Sequence, residues 1–302
     1  MGVIRVPRSV SPDAASPLPT IVAVPARLAS SRLPGKVMAD IGGQPMLRRV
    51  LERCAAAETP AAVVLCTDSP ELVDAAAGWG FPALLTGADC PSGSDRIASV
   101  VQTLLTMADT GTAPLSAETT LVINVQGDQP FLDPAVIDAM AAEFGRRRPL
   151  PEVLTPVYRL SAAKVHNPNV VKTLLAADGR ALYFSRSAIP HVRDVEPADW
   201  PDHAPYWGHV GLYGYRADVL AGWAALPHSP LEQVEKLEQL RLIEAGIGIG
   251  TFPVEGDSLS VDTAEQLEQA RGIAAQMNAA GGPVAQDIAV QSLRSRHPSA
   301  QS

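Results

Sequence analysis

Cysteine is scarce: Cys54, Cys66 and Cys90 are the three copies in 302 residues. Their number is odd and their spacing shows neither CxxC nor a paired histidine, so neither a disulfide framework nor a structural zinc site is supported. A reducing cytoplasm suits such a chain. No run of 18 apolar residues occurs, and no membrane-spanning helix is expected. Residues 1–19 are rich in Pro and Ser but lack the apolar stretch of a secretory signal, and they read as a disordered tail. Basic residues are in the minority, 24 Lys and Arg against 32 Asp and Glu. The net charge of -8 argues against a general binder of nucleic acid or membrane surfaces, both themselves anionic. Gly-x-Ser-x-Gly and Cys-His nucleophile arrangements are missing, and none of the six histidines has metal-ligand spacing.

What is present is a soluble globular composition, 46% hydrophobic and 19% charged, with length for one large α/β domain or two small ones. Apolar runs at 21–24, 62–66, 83–86 and 121–125 predict strands, alternating with helices at 45–58, from Ser69 onward, and at 94–107. In the first helix Met46, Leu47, Val50 and Leu51 fall on one face; Ser69 caps the second, which Pro70 can begin. Continuous apolar strands between helices predict an α/β fold with a mostly parallel sheet covered on both faces. The rhythm changes after Arg148. Strands are expected at 153–160, 170–176 and 180–184, with a hairpin signal at Asp178-Gly179, which together predict an antiparallel insertion or extension. An aromatic, Gly-rich stretch at 206–215 follows. A helix opened by Ser229-Pro230 and running to about 245, a strand at 247–254 and a helix at 263–277 close the fold. Residues 278–302 lack periodicity and read as a flexible tail.

The most informative segment is the loop after the first strand, where Arg27, Arg32 and Lys36 stand among Ser, Gly and Pro. Small side chains let backbone N–H groups approach a polyanion closely, so this loop is expected to hold a nucleoside triphosphate. It is not a Walker A loop, because Val37 follows Gly35-Lys36 where Ser or Thr would hold magnesium. Metal ligands must then come from elsewhere. Asp128, in Gln126-Gly127-Asp128-Gln129-Pro130 after the most apolar strand, faces the same crevice if the sheet is open and parallel, which makes it a Mg²⁺ ligand candidate. The same segment also makes a reasonable turn. Asp262 is the natural second ligand, and equally a cap for the last helix. Ser92 and Gly93 precede a helix whose start can hold a phosphate, a ribose or a base edge, or serve only as a capping box. Arg186 is the best partner for a substrate carboxylate. His209, Tyr213 and the 232–239 segment, with Glu235 and Gln239, add polar groups suited to an anionic polyol, though His209 also reads as a satisfied loop histidine.

Taken in order, Pro25-Ala-Arg27 through Lys36, Val125 to Asp128, Asn167-Pro-Asn169, Ala181 to Arg186, His209 to Tyr215, Ser229-Pro-Leu-Glu232, Leu237 to Arg241 and Val261-Asp-Thr263 resemble the 3-deoxy-manno-octulosonate cytidylyltransferase (CMP-Kdo synthetase) family. The likeness spans residues 20–276. It implies a nucleotide-diphospho-sugar transferase fold over residues 20–277, usually a homodimer, in which the antiparallel segment 150–216 serves sugar binding and subunit contact. The implied reaction joins CTP and 3-deoxy-D-manno-octulosonate (Kdo) into CMP-Kdo and pyrophosphate, for lipopolysaccharide. Carried onto this chain, Arg27, Ser30, Arg32 and Lys36 would hold the triphosphate. Ser92, Gly93 and Gln126 would lie near cytosine, ribose or the sugar. Asp128 and Asp262 would bind magnesium, with Arg186, His209, Tyr213, Glu235 and Gln239 in the sugar-acid pocket. Gln129 departs from the family's usual Gly-Asp-Glu-Pro. The alternatives are a cytidylyltransferase for 8-amino-Kdo or sialic acid, and a non-catalytic nucleotide-sugar sensor; the Arg-Leu-Pro-Gly-Lys loop favours Kdo.

Overall fold

The computed structural model describes residues 18–29, 33–108, 115–227, 229–256 and 259–279. Strands β1 (Thr20–Ala26), β2 (Ala62–Thr67), β3 (Ala83–Leu85) and β4 (Leu121–Val125) pair in parallel in the order β3-β2-β1-β4. Every residue of β1 and β4 is buried, as strands covered on both faces require. Alternate residues of β1 feed different cores. Val22 and Val24 pack with Leu47, Val50 and Leu51 of the helix Met46–Ala55, whereas Ile21 and Ala23 pack with Ile97 and Leu104 on the opposite face. The Ser69 cap forms as expected, its hydroxyl accepting from the Leu72 N–H.

The second half contains β5 (Val153–Arg159), β6 (Lys172–Leu175), β7 (Ala181–Ser185), β8 (Trp207–His209), β9 (Leu212–Arg216) and β10 (Ile249–Pro253). The antiparallel segment is continuous with the parallel half rather than appended to it. Strand β9 lies between β4 and β5 and runs antiparallel to both; β8, β6 and β7 extend the sheet beyond β5, and β10 joins β5 in parallel. The Asp178-Gly179 hairpin is present, with Gly179 at φ +81° and the Ala176 N–H donating to the Arg180 carbonyl at 2.8 Å.

Two expected helices are broken. The one over 94–107 divides into Gly93–Ala98 and Val101–Met107, where the Ser99 hydroxyl donates to the Arg96 carbonyl at 2.7 Å. The one from Ser229 stops at Lys236, which adopts a left-handed φ of +55° between Pro230–Glu235 and Leu240–Glu244. That reversal turns Leu237 and Leu240 into the core while Leu231 and Val234 stay exposed. The closing helix, Ala264–Ala279, runs two residues past its expected end, into the stretch read as a tail. The rest of both terminal tails lies outside the described residues.

Strand β9 is the seam between the two halves, and its Gly214 sits opposite Ile123 and Leu154 in the register. A Cβ there would fall 2.6 Å from the Met140 sulfur and 2.9 Å from Leu121 Cδ1. Gly214→Val is therefore expected to overpack the seam and cost about 1–3 kcal/mol of stability. The check is the chemical denaturation midpoint, and an unshifted midpoint would contradict this packing.

Candidate active site

The loop after β1 folds back because Gly35 takes φ +66°, with its N–H donating to the Leu28 carbonyl at 3.3 Å. This aims Lys36 across the carboxyl ends of the parallel strands. Its ammonium donates to Asp128 Oδ2 at 2.8 Å, Asp262 Oδ1 at 2.8 Å and the Val261 carbonyl at 3.2 Å. The two acidic loops are also tied through the backbone, the Val261 N–H donating to the Asp128 carbonyl at 2.9 Å. Burial pulls the Lys36 pKa down, and the two carboxylates more than reverse it, leaving the ammonium above its ordinary value.

Two carboxylates that share one ammonium are also two hard oxygen donors for a divalent cation. Among the described residues no group of three or more His, Cys, Asp or Glu could hold a metal. The donor set nevertheless fits magnesium, which commonly takes one or two protein carboxylates and completes its shell with phosphate oxygens and water.

A cleft of about 280 Å³ opens beside this cluster, lined by Arg27, Lys36, Ser92, Gly93, Gln126, Asp128 and Asp262, together with Cys90 and Arg96. Seven sequence-predicted residues thus meet in one place. Arg27 is exposed on the lining, while Ser30 and Arg32 lie outside the described residues. Ser92 does cap the helix Gly93–Ala98, accepting from the Asp95 N–H at 3.2 Å and donating to Asp95 Oδ2 at 2.6 Å. A Cβ on Gly93 would come within 3.0 Å of both Gln126 Nε2 and Pro25, so glycine is what allows these three segments to converge. Arg96, on the helix that Ser92 caps, is buried. It binds Asp68 at 3.1 Å, the Gly87 carbonyl at 3.2 Å and the Thr86 hydroxyl, tying the loop before Ser92 to the end of β2.

Of the residues expected to meet the sugar, Gln126 lines this cleft, whereas Arg186, His209, Tyr213, Glu235 and Gln239 do not. Arg186, just after β7, donates its backbone N–H to Glu235 Oε2 at 3.0 Å and its Nε–H to the Glu235 carbonyl at 2.9 Å. Glu235 also accepts from the Ser185 hydroxyl at 2.6 Å. His209 Nε2 lies 3.1 Å from the Thr155 hydroxyl, its ring packed 5.1 Å from Phe184 and 5.2 Å from Tyr213. Burial pushes its pKa down to about 3, so the imidazole is neutral near pH 7. The Tyr213 hydroxyl and Gln239 Nε2 are buried without a hydrogen-bond partner in the structure. Buried polar atoms usually have one.

A buried polar chain lies between these two groups, and sequence reading missed most of it. Gln126 Nε2 donates to Asn124 Oδ1 at 3.0 Å, and Asn124 Nδ2 donates to Ser94 Oγ at 3.3 Å. Ser94 in turn stands 3.1 Å from the Tyr215 hydroxyl and donates to Glu238 Oε1 at 2.7 Å. Burial raises the Glu238 carboxyl pKa, against the opposing Ser94 hydrogen bond. The available signal was Asn124, an amide inside the apolar run of β4, which a fully buried strand does not carry without partners.

A cytidylyltransferase family profile matches residues 21–249. The chain is 40% identical over 252 residues to a 3-deoxy-manno-octulosonate cytidylyltransferase of Acidobacterium capsulatum, covering 83% of this chain and 95% of that one. A solved structure of CMP:2-keto-3-deoxy-manno-octonic acid synthetase complexed with CTP superposes with a TM-score of 0.75 at 38% identity, over 85% of this chain and 99% of the other. A cytidylyltransferase from Leptospira borgpetersenii serovar Hardjo-bovis shares the fold, with a TM-score of 0.54 at 16% identity, over 94% of this chain and 98% of the other. The chain belongs to the cytidylyltransferase family, in its 3-deoxy-manno-octulosonate cytidylyltransferase (CMP-Kdo synthetase) branch.

Proposed function

We propose that this chain transfers CMP from CTP to the anomeric hydroxyl of Kdo, giving CMP-Kdo and pyrophosphate. The observation that carries the reading is the Lys36 ammonium held between Asp128 and Asp262 at the wall of a cleft that also presents Arg27, Ser92, Gly93 and Gln126. The C2 hydroxyl oxygen attacks the α-phosphorus, the bond to the β-phosphate oxygen breaks, and the hydroxyl proton passes to solvent. Catalysis of this kind rests on positioning and charge neutralisation. Asp128 and Asp262 would hold magnesium, which when bound would supply charge neutralisation and favour loss of the hydroxyl proton. Lys36, released from the two carboxylates, meets the phosphates with Arg27. Arg186 takes the sugar carboxylate, and the unpartnered Tyr213 hydroxyl and Gln239 amide receive sugar hydroxyls. His209 shapes this pocket as a neutral ring rather than acting as a base.

A homodimer belongs to the same proposal, since β7 ends the sheet order and its Leu182 is 52% exposed. So does a cytoplasmic setting, which suits three free cysteines. No helix among the described residues is long and apolar enough to cross a membrane.

Pyrophosphate release on mixing the protein with CTP, Kdo and magnesium tests the reading directly, with 8-amino-Kdo and sialic acid as comparison substrates. Absence of release with Kdo, whether or not a comparison substrate supports it, would overturn the reading. Asp128→Asn is expected to lower turnover by about two to three orders of magnitude, the loss of a major electrostatic stabiliser, with the fold intact. Chelation of divalent ions should abolish release in the unaltered protein. Arg186→Ala is expected to raise KM for Kdo while leaving KM for CTP nearly unchanged; an equal rise in both would remove its assignment. The pH–rate profile should show no His209 limb between pH 5 and 8. A pKa of about 3 lies below that whole window, so the ring stays deprotonated throughout it. His209→Gln should therefore keep the profile's shape, whatever its amplitude, and a lost limb would sink the neutral-ring role.

A further inference from the structure

Gln129 follows Asp128, and its side chain reaches the Gly211 carbonyl. It is buried, with its backbone fixed on both sides: the Gln129 N–H donates to the Gln126 carbonyl at 3.3 Å, and its own carbonyl accepts from the Leu132 N–H at 3.2 Å. Its Nε2 donates to the Gly211 carbonyl at 3.0 Å, and its Oε1 has no partner. That asymmetry fixes the orientation of the amide. Turned over, it would set Oε1 against the Gly211 carbonyl, two acceptors facing each other.

Gly211 is the middle of a tight turn joining β8 to β9, closed by the Leu212 N–H on the Val210 carbonyl at 2.7 Å. His209 stands immediately before this turn and Tyr213 immediately after it. From the other side the Thr155 hydroxyl lies 3.2 Å from the Val210 carbonyl and 2.8 Å from the Leu212 carbonyl, as well as 3.1 Å from His209. The turn is gripped between Thr155 and Gln129. Of the two, Gln129 alone is covalently adjacent to an aspartate that shares the Lys36 ammonium.

We propose that Gln129 is a positioning residue that locks the β8–β9 turn, and with it His209 and Tyr213, in register with Asp128. In this chain its amide acts as a donor, because the group that it holds is a carbonyl. The catalytic consequence rests on the reading above, in which residues 209–213 meet the sugar and Asp128 meets the nucleotide's cation. Gln129 then sets the relative placement of the two substrates without touching either.

The test uses the full chain and two substitutions. Gln129→Met keeps length and burial but has no donor, and it is expected to raise KM for Kdo about three- to tenfold, the worth of one neutral hydrogen bond, with KM for CTP within twofold of wild type. Gln129→Leu removes both polar atoms while staying apolar in a buried position, and it is expected to raise KM for Kdo to a similar degree. Hydrogen exchange without substrates supplies an independent readout: the Leu212 amide should exchange faster in Gln129→Met, while amides of β1 and β2 keep their wild-type rates. Wild-type exchange at Leu212 in Gln129→Met, or wild-type KM for Kdo in Gln129→Leu, would overturn the lock. Failure of the wild-type protein to release pyrophosphate would instead strike the functional reading, leaving the exchange result to judge the lock alone.

Discussion

The site depends on one ammonium shared by two carboxylates. Asp128 and Asp262 lie far apart in the chain, and like charges brought together at the mouth of a cleft repel unless a cation stands between them. Lys36 is that cation in the absence of ligands. Its contacts draw the loop after β1, the turn after β4 and the segment before the last helix into one wall. The same arrangement states what the site demands, since anything that withdraws Lys36 must leave positive charge behind. A nucleoside triphosphate arriving with a divalent ion meets that demand and at the same time gives the displaced ammonium an anion to hold.

The sheet explains why these groups can meet. Strand β1 is flanked by β2 on one side and β4 on the other, all parallel, so the loops leaving β1 and β4 emerge together at the carboxyl edge. Ligand crevices of open α/β sheets form where the connections diverge in this way. The insertion of β9 beside β4 then brings a second set of side chains against the first. From β9, Tyr215 reaches Ser94 at the start of the helix Gly93–Ala98, and Tyr213 stacks on Tyr215 at 5.9 Å. The polar chain from Gln126 through Asn124 and Ser94 to Glu238 is thus strung across the seam between the parallel and antiparallel halves.

Much of this was legible in the residues. The strands β1 and β2 announce themselves as apolar runs and β4 as one interrupted by Asn124, and the cationic small-residue loop after β1 marks the nucleotide side without any homologue. Asp128 was legible because it follows the most apolar strand. What stayed hidden depended on pairing between segments distant in sequence. Nothing local places 212–216 between β4 and β5, because edge and central antiparallel strands share the same alternation. The breaks at Ser99 and Lys236 were hidden for a related reason. Both segments carry helical periodicity, and only the need to bury Leu237 and Leu240 in the core turns the second one. Asp262 as a partner of Lys36, and Glu235 as the partner of Arg186, are likewise tertiary facts.

The position of β9 also bears on how the protein is made. The strands β1 to β4 leave the ribosome first, and the free edge of β4 has only water or another chain to bond until Leu212–Arg216 arrives, roughly 90 residues later. At ordinary elongation rates of about 5–20 residues per second, that edge stays open for several seconds. An apolar strand with unpaired backbone groups is a template for pairing with other nascent chains. The interval between β4 and β9 is therefore a window in which the nascent chain is open to pairing with its neighbours.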